Sequence, residues 1–257
     1  MNSFYPILKK ELLELVRSKK ILMLIIVFAF VAISSPILAK LIPTIFKNIT
    51  LVPGMVLNIP ESTWRDSIDQ FIKNTTQFVA LIVIFLFAGS VAEEKTKKTL
   101  ELVLTKPISR RNFILAKFAS SFFAIKVVFI LFSAVFYLYT ISIFGAMSLI
   151  NFVWLSVFLL ILILLIDAIT IFFSTISANQ LIAVGLSFLV FILIMTLLPY
   201  ISAIEPYAPG YIVNHYKDLM SNGEIKNFVW PAVISMALTF VAIFASVGCF
   251  KKQEIER

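Results

Sequence analysis

"FVWLSVFLLILILLIDAITIFFSTI", residues 152–176, carries one charged side chain, Asp167, in 25 positions. A helix rises about 1.5 Å per residue, so about 20 apolar residues cross a bilayer core of about 30 Å with every backbone polar group bonded inside the helix. The stretch reads as a membrane crossing. Five further segments have the same character: Ile21–Leu41, Phe78–Ala92, Phe118–Phe144, Leu181–Leu198 and Phe228–Phe250. Phe78–Ala92 is the shortest and would have to begin near Thr75 to cross fully. Trp154, Tyr200 and Trp230 fall at span ends, where amphipathic rings sit best. The expected fold is all-α: a polytopic membrane protein of six transmembrane helices, forming one transmembrane domain over residues 1–257.

Composition agrees with that expectation. Of 257 residues, 60% are hydrophobic and 14% charged, and mean hydropathy is +1.00, far outside the soluble range. The net charge of +8 points to a membrane surface and not to nucleic acid, because the basic residues flank apolar runs. One cysteine, Cys249, excludes an intramolecular disulfide and offers no metal cluster.

Orientation follows from the Lys and Arg distribution. Five lie in residues 1–20, seven in 93–117 and three after Phe250, which places fifteen on one side; the opposite loops, with Lys40, hold six. Acidic residues divide seven to six, so the asymmetry is one of positive charge, and both termini are expected in the cytoplasm of a multi-pass cell-membrane protein. The apolar run after residue 20 is longer than a signal-peptide core, and Pro36, Lys40 and Pro43 make a poor cleavage site, so it is read as a retained first span.

Residues 1–20 form an expected interfacial helix. Leu8, Leu12, Leu15 and Val16 share one face, while Lys10, Glu14, Arg17 and Ser18 share the other, with Pro6 in the first turn. A plain basic anchor for the first span is the alternative. External loops are expected at 43–75 and 199–227; in the first, Trp64, Ile68, Phe71 and Ile72 recur at helical spacing, as in a short amphipathic helix resting on the outer surface or capping the bundle.

The most charged stretch, "EEKTKKTLELVLTKPISRRNFILAK" at 93–117, is inserted between two of the most apolar ones. Thr99–Thr105 reads as one or two helical turns stopped near Pro107, and Ser109 is placed to cap a helix that runs on into the third span. A short helix bearing Leu100, Leu102, Val103 and Leu104 among basic residues suits a groove on a soluble partner.

This stretch resembles the first cytoplasmic loop of the ABC type-2 permeases, the membrane subunits of ATP-binding-cassette exporters. Glu94, Thr99, Leu100, Glu101, Pro107, Ser109, Arg110 and Lys117 match the family's order and spacing, and Lys98 stands where the family usually has Gly. "LKKELLELVRSKKIL" resembles the family's N-terminal interface helix, and "FFSTISANQLIAVGLSF" its turn between the fourth and fifth spans. The resemblance implies an exporter permease driven by a separate ABC ATPase subunit, two ATPase copies beneath two permeases, the second permease a copy or a homologue. It implies a coupling helix whose contacts include Glu94, Lys97, Lys98, Thr99, Leu100, Glu101, Leu102, Pro107 and Arg110. None of the seven glycines is followed by Lys, so no Walker A loop is present; ATP and Mg would be bound by the partner, and this chain is read as carrying no cofactor and no catalytic site of its own. The bland alternative is that the loop's basic residues only set topology.

Two ionisable residues fall inside spans, Lys126 on the third and Asp167 on the fourth, and either they pair or Lys126 snorkels to the surface. Lys126, Ser133, Tyr137 and Thr140 share an arc of the third helix, and Asp167, Thr170, Ser174 and Ser177 one of the fourth. Such stripes serve either as a polar pathway, with Lys126, Tyr137, Asp167 and Thr170 its candidates, or as close-packing seams between helices. The aromatic interior favours an amphipathic peptide or a lipid-like compound as substrate. Two other functions fit the composition: an ATP-independent transporter, and an immunity protein that sequesters a toxin or lipid. Membrane lipids are partners in every case, nucleic acid in none.

Overall fold

The computed structural model describes residues 4–48, 61–99 and 109–253. Helix α1 (Phe4–Arg17) turns at Lys19 into α2 (Lys20–Asn48). A continuous rod then runs from α3 (Trp64–Asn74) through a π-helical turn, Thr75–Val79, into α4 (Ala80–Phe87) and, after a break at Ala88, α5 (Gly89–Thr96). Helices α6 (Arg110–Phe144) and α7 (Leu149–Ile176) follow as long rods, then α8 (Gln180–Ile192), which continues in π and 3₁₀ turns to Tyr200. Two short helices, α9 (Tyr211–Asn214) and α10 (Tyr216–Asn222), precede α11 (Lys226–Lys252). No strand occurs among the described residues.

Six of these rods are long and apolar enough to cross a membrane: Lys20–Pro43, Trp64–Thr96, Arg110–Phe144, Leu149–Ile176, Gln180–Tyr200 and Lys226–Lys252. The second differs from expectation. The amphipathic stretch after Thr63 is not a separate helix on the outer surface but the first part of the second rod. Its buried face, Ser67, Ile68, Phe71 and Ile72, packs between α2 and α6. Phe71 stacks on Phe136 at 4.1 Å, and Phe152 tilts against both at 6.2 and 5.5 Å. Offset aromatic packing of this kind adds about 0.5–1.5 kcal/mol per pair beyond area burial. The π turn lets the rod change its facing residues without leaving backbone groups unbonded.

Helix α7 is the centre. Residues 162–168 are buried without interruption, so all sides of α7 are covered there, and α4, α5, α6, α8 and α11 pack on it. Large apolar side chains on the outer helices face away from the bundle, Phe123, Ile130 and Leu131 on α6 and Leu181 and Leu189 on α8 among them. That distribution matches a solvent of lipid chains, which rewards no further apolar burial.

Helix starts follow local chemistry. Ser109, Ser148 and Asn179 have extended backbone, and each side-chain oxygen accepts from the N–H three residues on, capping α6, α7 and α8. Ser109 does so as the sequence predicts. Lys98 adopts φ 53°, the left-handed region that favours glycine, at the position where the resemblance expects Gly.

Candidate functional site

The bundle end that carries α1, the start of α6 and the last turn of α11 holds the densest charge. On α1 the buried positions are Ile7, Glu11 and Leu15, spaced by four and so on one face. This corrects the sequence-derived face: Leu8 and Leu12 are half-buried at its edge, Leu15 lies inside, and Val16 is exposed. A glutamate sits at the centre of the buried stripe because α6 presents its counter-charge, Lys117.

Lys117 of α6, 3% exposed, donates to Glu94 Oε1 at 2.6 Å and to Glu11 Oε2 at 3.0 Å. Lys10 bridges from the rim, 3.1 Å from Glu11, 3.1 Å from Glu14 and 3.4 Å from Glu94. The Phe113 ring, one turn before Lys117, lies 4.9 Å from its ammonium and stacks on Phe250 at 5.4 Å. Burial works against the charge on Lys10, but Glu11, Glu94 and Glu14 outweigh it and hold the ammonium above its ordinary range. Burial would raise the Glu14 carboxyl, yet Lys117 and Lys10 pull it below the usual carboxylate range. Oxygens of Glu11, Glu14 and Glu94 lie within 4.8 Å of one another, a spacing a cation accepts; the ammonium groups of Lys117 and Lys10 already occupy that role.

These groups border a cavity of about 460 Å³ whose wall includes four lysines, Lys10, Lys20, Lys97 and Lys117, and four glutamates, Glu11, Glu14, Glu93 and Glu94. It reaches Thr99, where the description of the loop stops. Lys97 pairs with Glu93 one turn back at 2.6 Å, and that bond raises its ammonium above the ordinary value.

Two arrangements fix the helices that carry the loop. After the break at Ala88, the first turn of α5 gains an acceptor from outside its own helix: Ser174 Oγ of α7 lies 2.9 Å from Val91 N and 3.1 Å from Ala92 N. At the end of α11, Arg110 donates to the carbonyls of Phe250, Lys251 and Gln253 at 3.4, 3.1 and 2.8 Å. Lys95 Nζ and Gln253 Nε2 both donate to Thr175 O, which closes the last turn of α7.

Of the sequence-derived candidates, Glu94, Lys97 and Thr99 line the cavity, Lys98 forms the turn beside it and Arg110 caps α11. Leu100, Glu101, Leu102 and Pro107 lie outside the described residues. The intramembrane candidates separate. Lys126 is exposed on the outer surface of α6 and makes no ion pair with Asp167, because Asp167 faces inward, its Oδ2 2.6 Å from Ser121 Oγ. Tyr137 donates to Met147 O across the α6–α7 turn, and Thr170 donates to Ile166 O within its own helix. Ser133, Thr140 and Ser174 are buried between helices, and Thr140 and Ser67 share a hydrogen bond at 3.0 Å. The residue that sequence reasoning missed is Glu11. Its signal was an acid at four-residue spacing between Ile7 and Leu15, matched by a lone base, Lys117, between Ala116 and Phe118.

A family model of ABC-2 family transporter proteins matches residues 5–229, from the start of α1 into α11. The chain belongs to the ABC-2 transporter family. In a comparison with curated proteins, none matched. The ABC-2 match spans α1, the cavity and the loop together, so the charged site lies wholly inside the matched region. An ABC-2 protein of this kind is a multi-pass permease subunit of an ABC transporter, and such permeases associate with an ABC ATPase subunit.

Proposed function

We propose that this ABC-2 permease exports its substrate with energy from a separate ATPase subunit that docks on residues 97–110. The termini and the 93–117 loop face the cytoplasm, as the distribution of basic residues requires. The observation that carries the reading is the Glu11–Lys117–Glu94 network at the foot of that loop. A force applied between Thr99 and Pro107 enters α5 on one side and α6 on the other. Lys117 joins both to α1, so the three move together and not past one another.

ATP and Mg belong to the ATPase subunit, and this chain supplies no catalytic group. A second permease, a copy or a homologue, completes the transporter. The apolar, aromatic interior suits an amphipathic peptide or a lipid-like compound. Reversing the charges of Lys97, Lys98 and Glu101 in the assembled complex is expected to leave ATP hydrolysis running while export stops, with the permease still folded. Export at the wild-type rate in that variant removes the coupling role, and labelling of a cysteine at Lys97 from outside intact cells removes the orientation.

A further inference from the structure

Asp167 is fully buried on α7, the central helix, and the charged cluster leaves it unused. No charged side chain faces it among the described residues. Helices α4 and α8 carry none, and α11 has none between Lys226 and Lys251. On α6, Lys126 points out of the bundle and Lys117 is held by Glu11 and Glu94. On α5, Glu93 pairs with Lys97, Glu94 with Lys117, and Lys95 donates to Thr175 O. Of the remaining titratable groups on packed elements, Tyr137 is bonded to Met147 O, Cys249 lies in the terminal turns of α11, and Lys217 of α10 lies 3.5 Å from Asp69. Tyr139, two residues from Tyr137, belongs to the same distant part of α6, and Tyr211, Tyr216 and Asp218 lie on α9 and α10.

The hydrogen count at its one partner is informative. Ser121 Oγ lies 2.6 Å from Asp167 Oδ2 and 3.0 Å from Phe118 O, two acceptors for a single hydroxyl hydrogen. Several buried hydroxyls elsewhere in the spans donate to a carbonyl of their own helix: Ser35 to Val31, Thr170 to Ile166, Ser187 to Ala183 and Ser235 to Pro231. If Ser121 does the same toward Phe118, the hydrogen between Ser121 and Asp167 must come from the carboxyl group. Oδ1 has no partner among the described residues, which a neutral carbonyl oxygen tolerates far better than a buried anion.

We propose that Asp167 is a proton-binding site: in the closed bundle it is the neutral acid, its Oδ2–H donating to Ser121. When the seam between α6 and α7 opens to water, the proton passes to a water molecule and a carboxylate remains. Its charge then opposes closure until a proton returns, so opening of the bundle is linked to proton release independently of the loop.

Infrared spectroscopy of the full chain in lipid nanodiscs, with aspartate carbon-13-labelled at the carboxyl, tests this. The chain has four aspartates, and Asp66, Asp69 and Asp218 lie on α3 and α10, outside the central helices. At neutral pH one label-sensitive protonated C=O band is expected, absent in Asp167→Asn and moved to higher frequency in Ser121→Ala. Detection of carboxylate bands alone from the labelled wild type overturns the proposal, as does a protonated band that survives in Asp167→Asn. The wild-type spectrum decides the matter even if a variant fails to fold.

Discussion

Lys117 shows why one side chain can govern a bundle end. Taking an ammonium out of water costs several kcal/mol, repaid only by close carboxylates, and here two supply that from different helices. Lys117→Met removes the buried ammonium between Glu11 and Glu94 and leaves them only the half-exposed Lys10 at the rim, so it is expected to lose about 3–5 kcal/mol, seen as a lower thermal midpoint in detergent. Adding Glu11→Leu and Glu94→Leu should restore most of it, because a matched apolar set avoids the desolvation altogether; no recovery would show that the charges are not acting as a unit. Lys98 illustrates a different residue-scale effect. A side chain at φ 53° clashes with its own carbonyl, so Lys98→Gly should stabilise the permease by about 1 kcal/mol. A loss on that substitution would mean that the lysine's contacts outweigh its backbone.

Among elements, α5 is the one held by borrowed bonds. It is eight residues long, too short to persist alone, and Ser174 of α7 accepts from two amides of its first turn. Ser174→Ala removes that acceptor at a cost of about 1–3 kcal/mol. Hydrogen exchange in residues 89–96 should accelerate about tenfold or more, since about 1.4 kcal/mol is a factor of ten, while exchange in α6 stays unchanged. Equal acceleration in both helices would mean that the serine supports the bundle generally and not α5 in particular. The end of α5 and the turn after it were readable in part: Glu94 and Lys97 belong to a charged run set between apolar spans, whereas Ser174 looked like any small hydroxyl on a helix. Its role depends on where a second helix breaks, which no local pattern in α7 records.

For the whole molecule, burial separates a centre from a rim. Leu165 on α7 is 0% exposed, and Leu189 on α8 is 59% exposed on the outer face of the bundle. Leu165→Ala is expected to lose about 2–5 kcal/mol, and Leu189→Ala to stay within about 0.5 kcal/mol, both read from thermal unfolding in detergent. Similar losses at both sites would place α8 in a protein interface, with the second permease as the natural occupant.

The number of crossings, the membrane class and the likeness to ABC-2 permeases were contained in the chain alone, because apolar length is a sum over one segment and needs no neighbour. The start of α6 at Ser109 was local in the same way. Tertiary packing decided that α3 joins the second rod, that Glu11 meets Lys117, and that Lys126 and Asp167 face opposite ways. Those outcomes depend on how each helix is rotated about its axis, and that rotation is settled only when all the rods pack against one another at once.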